Sequence, residues 1–215
     1  NYGVVTAGGA AVSRNFTFTV SPSVTCGTNI TATVQHQDGA SNLGNVTYTI
    51  PTGAVTSVLT ENFDSVTAPT LPAGWVATNV SGAAPLWVTA TGANDTAPNV
   101  AFIDDPAAVS NKVLDTPSFV AAAGSQVTFR HSFTLEDTFD GGVLEISING
   151  GAFSDIVSAG GSFVTGGYTG LISASFGSPI AGRSAWTGTQ SSFLTTTANL
   201  PAAAIGQPVK LRLRM

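Results

Sequence analysis

Apolar residues recur at every second position along much of this chain. Val127, Phe129, His131, Phe133 and Leu135 share one phase of a run, and Leu144, Ile146 and Ile148 share one phase of the next. A period of two is that of a strand with one buried face, so both runs predict β-strands. Between them, Glu136, Asp137 and Asp140 crowd into a loop that ends in Gly141-Gly142, which predicts a hairpin, and Asn149-Gly150-Gly151 predicts a turn after the second strand. Nearer the start, Phe16, Phe18 and Val20, then Ile30, Ala32 and Val34, then Val46, Tyr48 and Ile50 alternate with Thr or other polar residues. They predict consecutive strands, with turns at Ser21-Pro22-Ser23, Cys26-Gly27 and Asp38-Gly39, and Pro51-Thr52-Gly53 closing that unit. In the final run Val209, Leu211, Leu213 and Met215 alternate with Lys210, Arg212 and Arg214, giving one apolar and one basic face. Arg130 and Glu145 take the outward phase of their own strands, so cross-strand pairs between such charges are the ordinary expectation.

Composition narrows the class to all-β. Only 9% of the 215 residues are charged, and 24 Gly, 11 Pro and long Thr/Ser/Val/Ala stretches disfavour helix. No apolar run approaches the ~20 residues of a membrane span, so membrane insertion is not expected. A net charge of -5 with seven Lys and Arg cannot build the basic stripe that nucleic acid requires. Asn1 opens no basic and apolar leader, and the expectation is an internal piece of a longer exported protein. Cys26 is alone and cannot form an internal disulfide; a small buried apolar role is expected, with an intermolecular disulfide or a reactive thiol as the other reading. Five Asn-x-Ser/Thr sequons, at Asn15, Asn29, Asn45, Asn79 and Asn94, make glycosylation chemically open. There is no His-Glu-x-x-His segment and no Gly-x-Ser-x-Gly elbow, and the two histidines sit in strand patterns, so no enzyme activity is expected.

From residue 61 onward an ordered set of motifs appears: Asn62-Phe63-Asp64, Leu71-Pro72-Ala73-Gly74-Trp75, Leu114-Asp115-Thr116-Pro117, the acidic loop through Gly142, and Ala181-Gly182-Arg183-Ser184-Ala185-Trp186-Thr187-Gly188. This order resembles the MAM-like jelly roll of bacterial secreted proteins, whose relatives include cleaved-adhesin or choice-of-anchor modules and the carboxy-terminal regions of immune-inhibitor-A-type metalloproteases. Residues 3 to 20, followed by Cys26-Gly27, are similar to the final strands of immunoglobulin-like spacer domains. The resemblance implies residues 1 to 56 as the end of an immunoglobulin-like β-sandwich and 57 to 215 as an antiparallel jelly-roll sandwich. Such modules continue past a Leu-Arg-Leu-Arg strand into a further strand, so the expectation is that the last strand is lacking. The implied role is a secreted or cell-surface adhesion or structural module without catalytic residues. An accessory domain of a secreted protease and a carbohydrate-binding module are the alternatives.

The candidate sites follow from both readings. Three close carboxylates repel unless a cation, a basic partner or water screens them, so Glu136, Asp137 and Asp140 form either a Ca²⁺ site or a solvated loop. In the resembling modules a structural calcium ties the first strand to a later loop and the last strand, which adds Glu61, Asp64, Asp104 and Asp105 to the ligand candidates. The plain reading of Asp104-Asp105-Pro106 is a turn. Trp75 and Trp186 sit at recurring motif positions and take fold roles; Phe139 and Tyr168, in loops, are the candidates for stacking against a glycan. Expected partners are other protein chains or cell-surface components. Unpaired strand edges at either end would also recruit copies of this chain into a homo-oligomer or fibre.

Overall fold

The computed structural model describes residues 3–21, 24, 27–53, 56–82, 85–92 and 94–215. Its strands, in chain order, are β1 (Asn29–Asp38), β2 (Ser41–Pro51), β3 (Val76–Ser81), β4 (Val88–Thr91), β5 (Asn99–Phe102), β6 (Asn111–Asp115), β7 (Phe119–Val120), β8 (Gln126–Thr134), β9 (Val143–Ile148), β10 (Ser154–Asp155), β11 (Ser162–Thr165), β12 (Gly170–Leu171), β13 (Ser184–Ala185), β14 (Thr189–Asn199) and β15 (Pro208–Arg214). One short 3₁₀ turn, Ala202–Ala204, interrupts an all-β, antiparallel fold. Among the described residues no helix is long and apolar enough to cross a membrane. The chain divides into two compact units, Asn1–Val55 and Thr56–Met215.

Unit 1 is built on one hairpin. Strands β1 and β2 pair so that Ile30 faces Ile50, Ala32 faces Tyr48 and Val34 faces Val46, which is the alternation read from the sequence. Gly39, at a φ of 58°, turns the chain between them, a conformation a side chain rarely tolerates. The strand expected through Phe16, Phe18 and Val20 is not formed: the described residues of the 3–21 segment hold no strand, and these three side chains are exposed. Alternation alone does not make a strand, because its backbone groups need a neighbouring ladder. Cys26, Pro22 and Ser23, with the turn and thiol expectations attached to them, lie outside the described residues.

Unit 2 holds two main sheets. The first runs β10-β9-β15-β6-β3, with β7 also on β15, and the second runs β11-β14-β8. Small hairpins β4-β5 and β12-β13 complete it. Leu144, Ile146, Val209 and Leu211 from the first sheet share one core with Trp186 and Ala198, against which Val127, Phe129, Phe133 and Phe163 pack. The predicted hairpin between β8 and β9 is overturned, since the two strands belong to different sheets and the acidic loop crosses from one to the other. Period two fixes which face of a strand is buried but not which strand lies beside it. The Asn149-Gly150 turn does form, with φ of 51° and 73° and Gly151 N–H donating to the Ile148 carbonyl at 3.0 Å, and it returns the chain from β9 toward β10.

Strand β15 lies between β9 and β6, and its basic face meets acids. Arg212 donates to both oxygens of Asp115 at 2.6 and 2.9 Å, with its guanidinium 3.6 Å from the Phe153 ring centre. A second layer covers the outer side of β9: Ile172, Ile180 and Ala185 pack on Val143, so five successive β9 residues are buried.

Candidate functional site

Two neighbouring regions of unit 2 gather the chemically interesting side chains. One is an acidic cavity of about 320 Å³ whose lining includes Asp105, Asn111, Glu136 and Asp140. Glu136 closes a tight turn, its carbonyl accepting the N–H groups of Phe139 and Asp140 at 3.1 and 3.0 Å, while Thr138 takes a left-handed φ of 66°. The turn is anchored where the Thr138 N–H reaches Thr187 Oγ1 at 2.9 Å and its carbonyl accepts from Ser173 N–H at 2.7 Å. Burial, then the charges of Asp140, Asp104 and Glu136, push the Asp105 pKa up from its ordinary value. Burial and then Glu136 do the same for Asp140. The protein thus holds these acids within electrostatic reach of one another. Asn111, on β6, is 8% exposed, and its Oδ1 is buried without a hydrogen-bond partner. Sequence reading missed Asn111; nothing in its local pattern signals an unsatisfied amide.

The other candidate ligands are placed differently. Asp137 is exposed and turns toward Gly188, outside the cavity lining. Asp64 is occupied: Oδ1 accepts the Asn99 N–H at 2.8 Å, and Oδ2 accepts from Thr96 Oγ1 at 2.9 Å and Asn62 Nδ2 at 2.8 Å. Glu61 Oε1 accepts the Phe63 N–H at 2.7 Å. Asn99 returns bonds to the carbonyls of Phe63 and Val66, so Asp64 and Asn99 clamp the 61–66 loop to β5. Among the described residues no three His, Cys, Asp or Glu side chains converge closely enough to hold a metal ion as they stand. The carboxylates of the acidic cavity are oxygen donors of the kind a hard cation takes, but they are not gathered about one point.

The second region is an open cleft of about 920 Å³. Every residue from Val127 to Leu135 lines it, as does every residue from Val100 to Asp105. Successive side chains of a strand point to opposite faces, so a cavity touching such unbroken runs follows strand edges. Among the described residues β8 pairs with β14 alone and β5 with β4 alone, leaving each a free edge. Arg130 on β8 forms an ion pair with Asp95, which tethers the β4-β5 connection to β8. The cleft walls include Phe63, Trp75, Trp87, Phe102, Phe133 and Trp186. The indole Nε1 of Trp87 is buried there with no hydrogen-bond partner.

Of the expected stacking pair, Phe139 lines the acidic cavity in a T-shaped contact with Phe176, ring centres 4.8 Å apart. Tyr168 is engaged by the fold instead. Its hydroxyl donates to Asp155 Oδ2 at 2.8 Å and accepts the Leu144 N–H at 3.1 Å, and burial followed by the Asp155 bond pushes its pKa up. Its ring makes T-shaped contacts with Phe163 and Trp186, ring centres 4.8 Å apart in each case.

His131 stands in the core among Phe129, Phe133 and Trp186, with Nε2 2.9 Å from Thr196 Oγ1. The Thr196 hydroxyl donates to the Gly166 carbonyl, so the imidazole Nε2–H is the donor to Thr196. Burial pushes its pKa down from 6.5 to about 4. The unfolded chain therefore binds this proton more readily than the folded one. The stabilisation is complete above about pH 6.5 and is lost as pH falls through about 4, up to ~3 kcal/mol in all. Urea midpoints measured across that window are expected to fall for the protein and to flatten for His131→Gln; equal slopes in both would contradict the assignment.

Comparison with known protein families, with curated proteins and with solved structures finds no match.

Proposed function

We propose that this chain is a non-catalytic adhesion or structural module of a secreted or cell-surface protein, and that it engages another protein chain by accepting an extended strand into the open cleft. The observation that carries this reading is the unbroken run from Val127 to Leu135 along the cleft, beside the free edge of β8. An unpaired edge offers main-chain N–H and carbonyl groups, and an apolar floor rewards a partner with apolar residues at every second position. The resemblance to MAM-like modules supports the extracellular setting.

The test uses a synthetic peptide of alternating Val and Lys about as long as β8. Its binding is expected to slow hydrogen exchange of β8 amides, and Phe102→Glu, at a cleft-wall residue 43% exposed, is expected to weaken it at least about tenfold with little change in unfolding temperature. Unaltered exchange along β8 at saturating peptide would sink the reading.

The unpartnered Trp87 Nε1 favours one second reading, a glycan whose hydroxyl accepts that N–H while its ring stacks on the aromatic walls. A glycan array without hits counts against it.

A further inference from the structure

We propose that the strand accepted by the cleft is residues 13–20 of a second copy of this chain, running antiparallel to β8; the inference rests on the strand-accepting reading above and names its partner. The segment has the pattern of a strand without its ladder. Arg14, Phe16, Phe18 and Val20 share one phase, no strand forms there, and Phe16 and Phe18 are 73% and 46% exposed. Their rings lie side by side, centres 6.0 Å apart, as second neighbours on one face of an extended chain do. A free sheet edge over an apolar floor satisfies both the main chain and the rings of such a segment.

The cleft sets the direction. Asp95, ahead of β5, is ion-paired with Arg130 of β8, and Asp105, after β5, shares a cavity with Glu136, which follows β8. The edges of β5 and β8 therefore run the same way, and one inserted strand is antiparallel to both. Leu114, Leu211 and Leu213 of the other main sheet also line the cleft and lie where its apolar face would rest. Antiparallel entry carries Val20 toward Val127, and Arg14 toward the end of the cleft where Asp104 and Asp105 are exposed. Until then the Arg14 guanidinium makes a 3.4 Å bond to the carbonyl of its own neighbour Ser13. Entry the other way would bring Arg14 toward Arg130, which Asp95 already pairs, so charge selects the antiparallel direction. Because donor segment and acceptor cleft are different surfaces, the contact is heterologous and passes from copy to copy.

Sedimentation velocity of the full chain at rising concentration is expected to show species larger than one chain. Phe16→Asp combined with Phe18→Asp removes the donor face and is expected to leave a monomer with an unchanged unfolding temperature, because both side chains are exposed. Phe102→Glu, which blocks the acceptor, is likewise expected to stay monomeric. Mixed, the two variants are expected to form a one-to-one pair, since one keeps the cleft and the other keeps the segment. Arg14→Glu is expected to weaken association about tenfold at low salt and less at high salt. A full chain that stays monomeric, a donor variant that still assembles, or a mixture that does not pair would each overturn the proposal. Where the Val and Lys peptide slows exchange along β8 despite such a result, the cleft reading stands and only the second copy is wrong as its partner; where the peptide also fails, both are wrong.

Discussion

Trp186→Ala is expected to destabilise unit 2 by about 3–5 kcal/mol, among the largest effects of any single truncation in the chain. Trp186 is 3% exposed and packs edge-on against four rings, with centroid distances of 5.7 Å to Phe129, 4.8 Å to His131, 5.6 Å to Phe163 and 4.8 Å to Tyr168. Its indole N–H donates to the Gly166 carbonyl at 2.9 Å, and its main chain bridges to Gly142 in both directions. Removing the ring leaves a void bounded by both sheets, and close-packed neighbours refill such a void only in part. For a unit of this size the loss corresponds to a fall in unfolding temperature of roughly 10 °C. Scanning calorimetry reads it directly. Trp186→Phe is expected to recover about half of the loss, because it restores much of the volume without the N–H. A cost below about 1 kcal/mol for the alanine variant would mean that the aromatic cluster is not the keystone of this core.

Glu145→Gln comes next, at about 3 kcal/mol. Glu145 lies on β9 with only 3% of its side chain exposed, accepting from Arg183 Nη1 at 2.6 Å through Oε1, with Arg214 Nε 3.4 Å from Oε2. Asp155 continues the network, accepting from Arg183 Nη2 at 3.0 Å and from the Tyr168 hydroxyl at 2.8 Å. Neutralising Glu145 takes one of the two carboxylate partners of Arg183, leaving it Asp155, and removes the carboxylate nearest Arg214, and breaking a largely covered ion pair is expensive. Chemical denaturation measures the loss, which should persist at high salt because a covered pair is poorly screened. Arg183→Met in the same background is expected to add less than it costs alone, since the two residues stabilise each other. Simple additivity of the two changes would show that the pair is not coupled.

The network also marks where sequence reading stopped. Alternation put Glu145 on the outward phase of β9, opposite Leu144 and Ile146, and that phase is correct. Outward did not mean solvated. The segment carrying Ile172, Ile180, Arg183 and Ala185 folds over that face, and nothing local to β9 announces a cover supplied from so far along the chain. The basic face of β15 was legible, and so was its pairing with acids, because its partners are strand residues in the expected phase.

The candidate site shows the same division. Sequence proximity grouped Glu136, Asp137 and Asp140, yet the turn that Glu136 closes sends Asp137 the other way. Asp105 joined them only because the chain after β5 passes the crossing between β8 and β9. Asp64 was a reasonable ligand on motif grounds, but three donors from its own loop and from the 96–99 stretch reached it first.

By itself the sequence determined the class of structure: strands from period two, turns from Gly and Asn-Gly, an all-β chain without an α-helix among the described residues, and the inward phase of β1, β8, β9 and β15. These are properties of a residue and its near neighbours, written in rotamers, φ preferences and alternating polarity. Only the tertiary structure decided that β8 and β9 lie in different sheets, that Phe16 to Val20 form no strand, that Glu145 is covered, and that a cleft runs beside the free edges of β8 and β5. Those outcomes depend on which distant segment wins each edge and face, a competition settled by packing and hydrogen bonding across the whole unit.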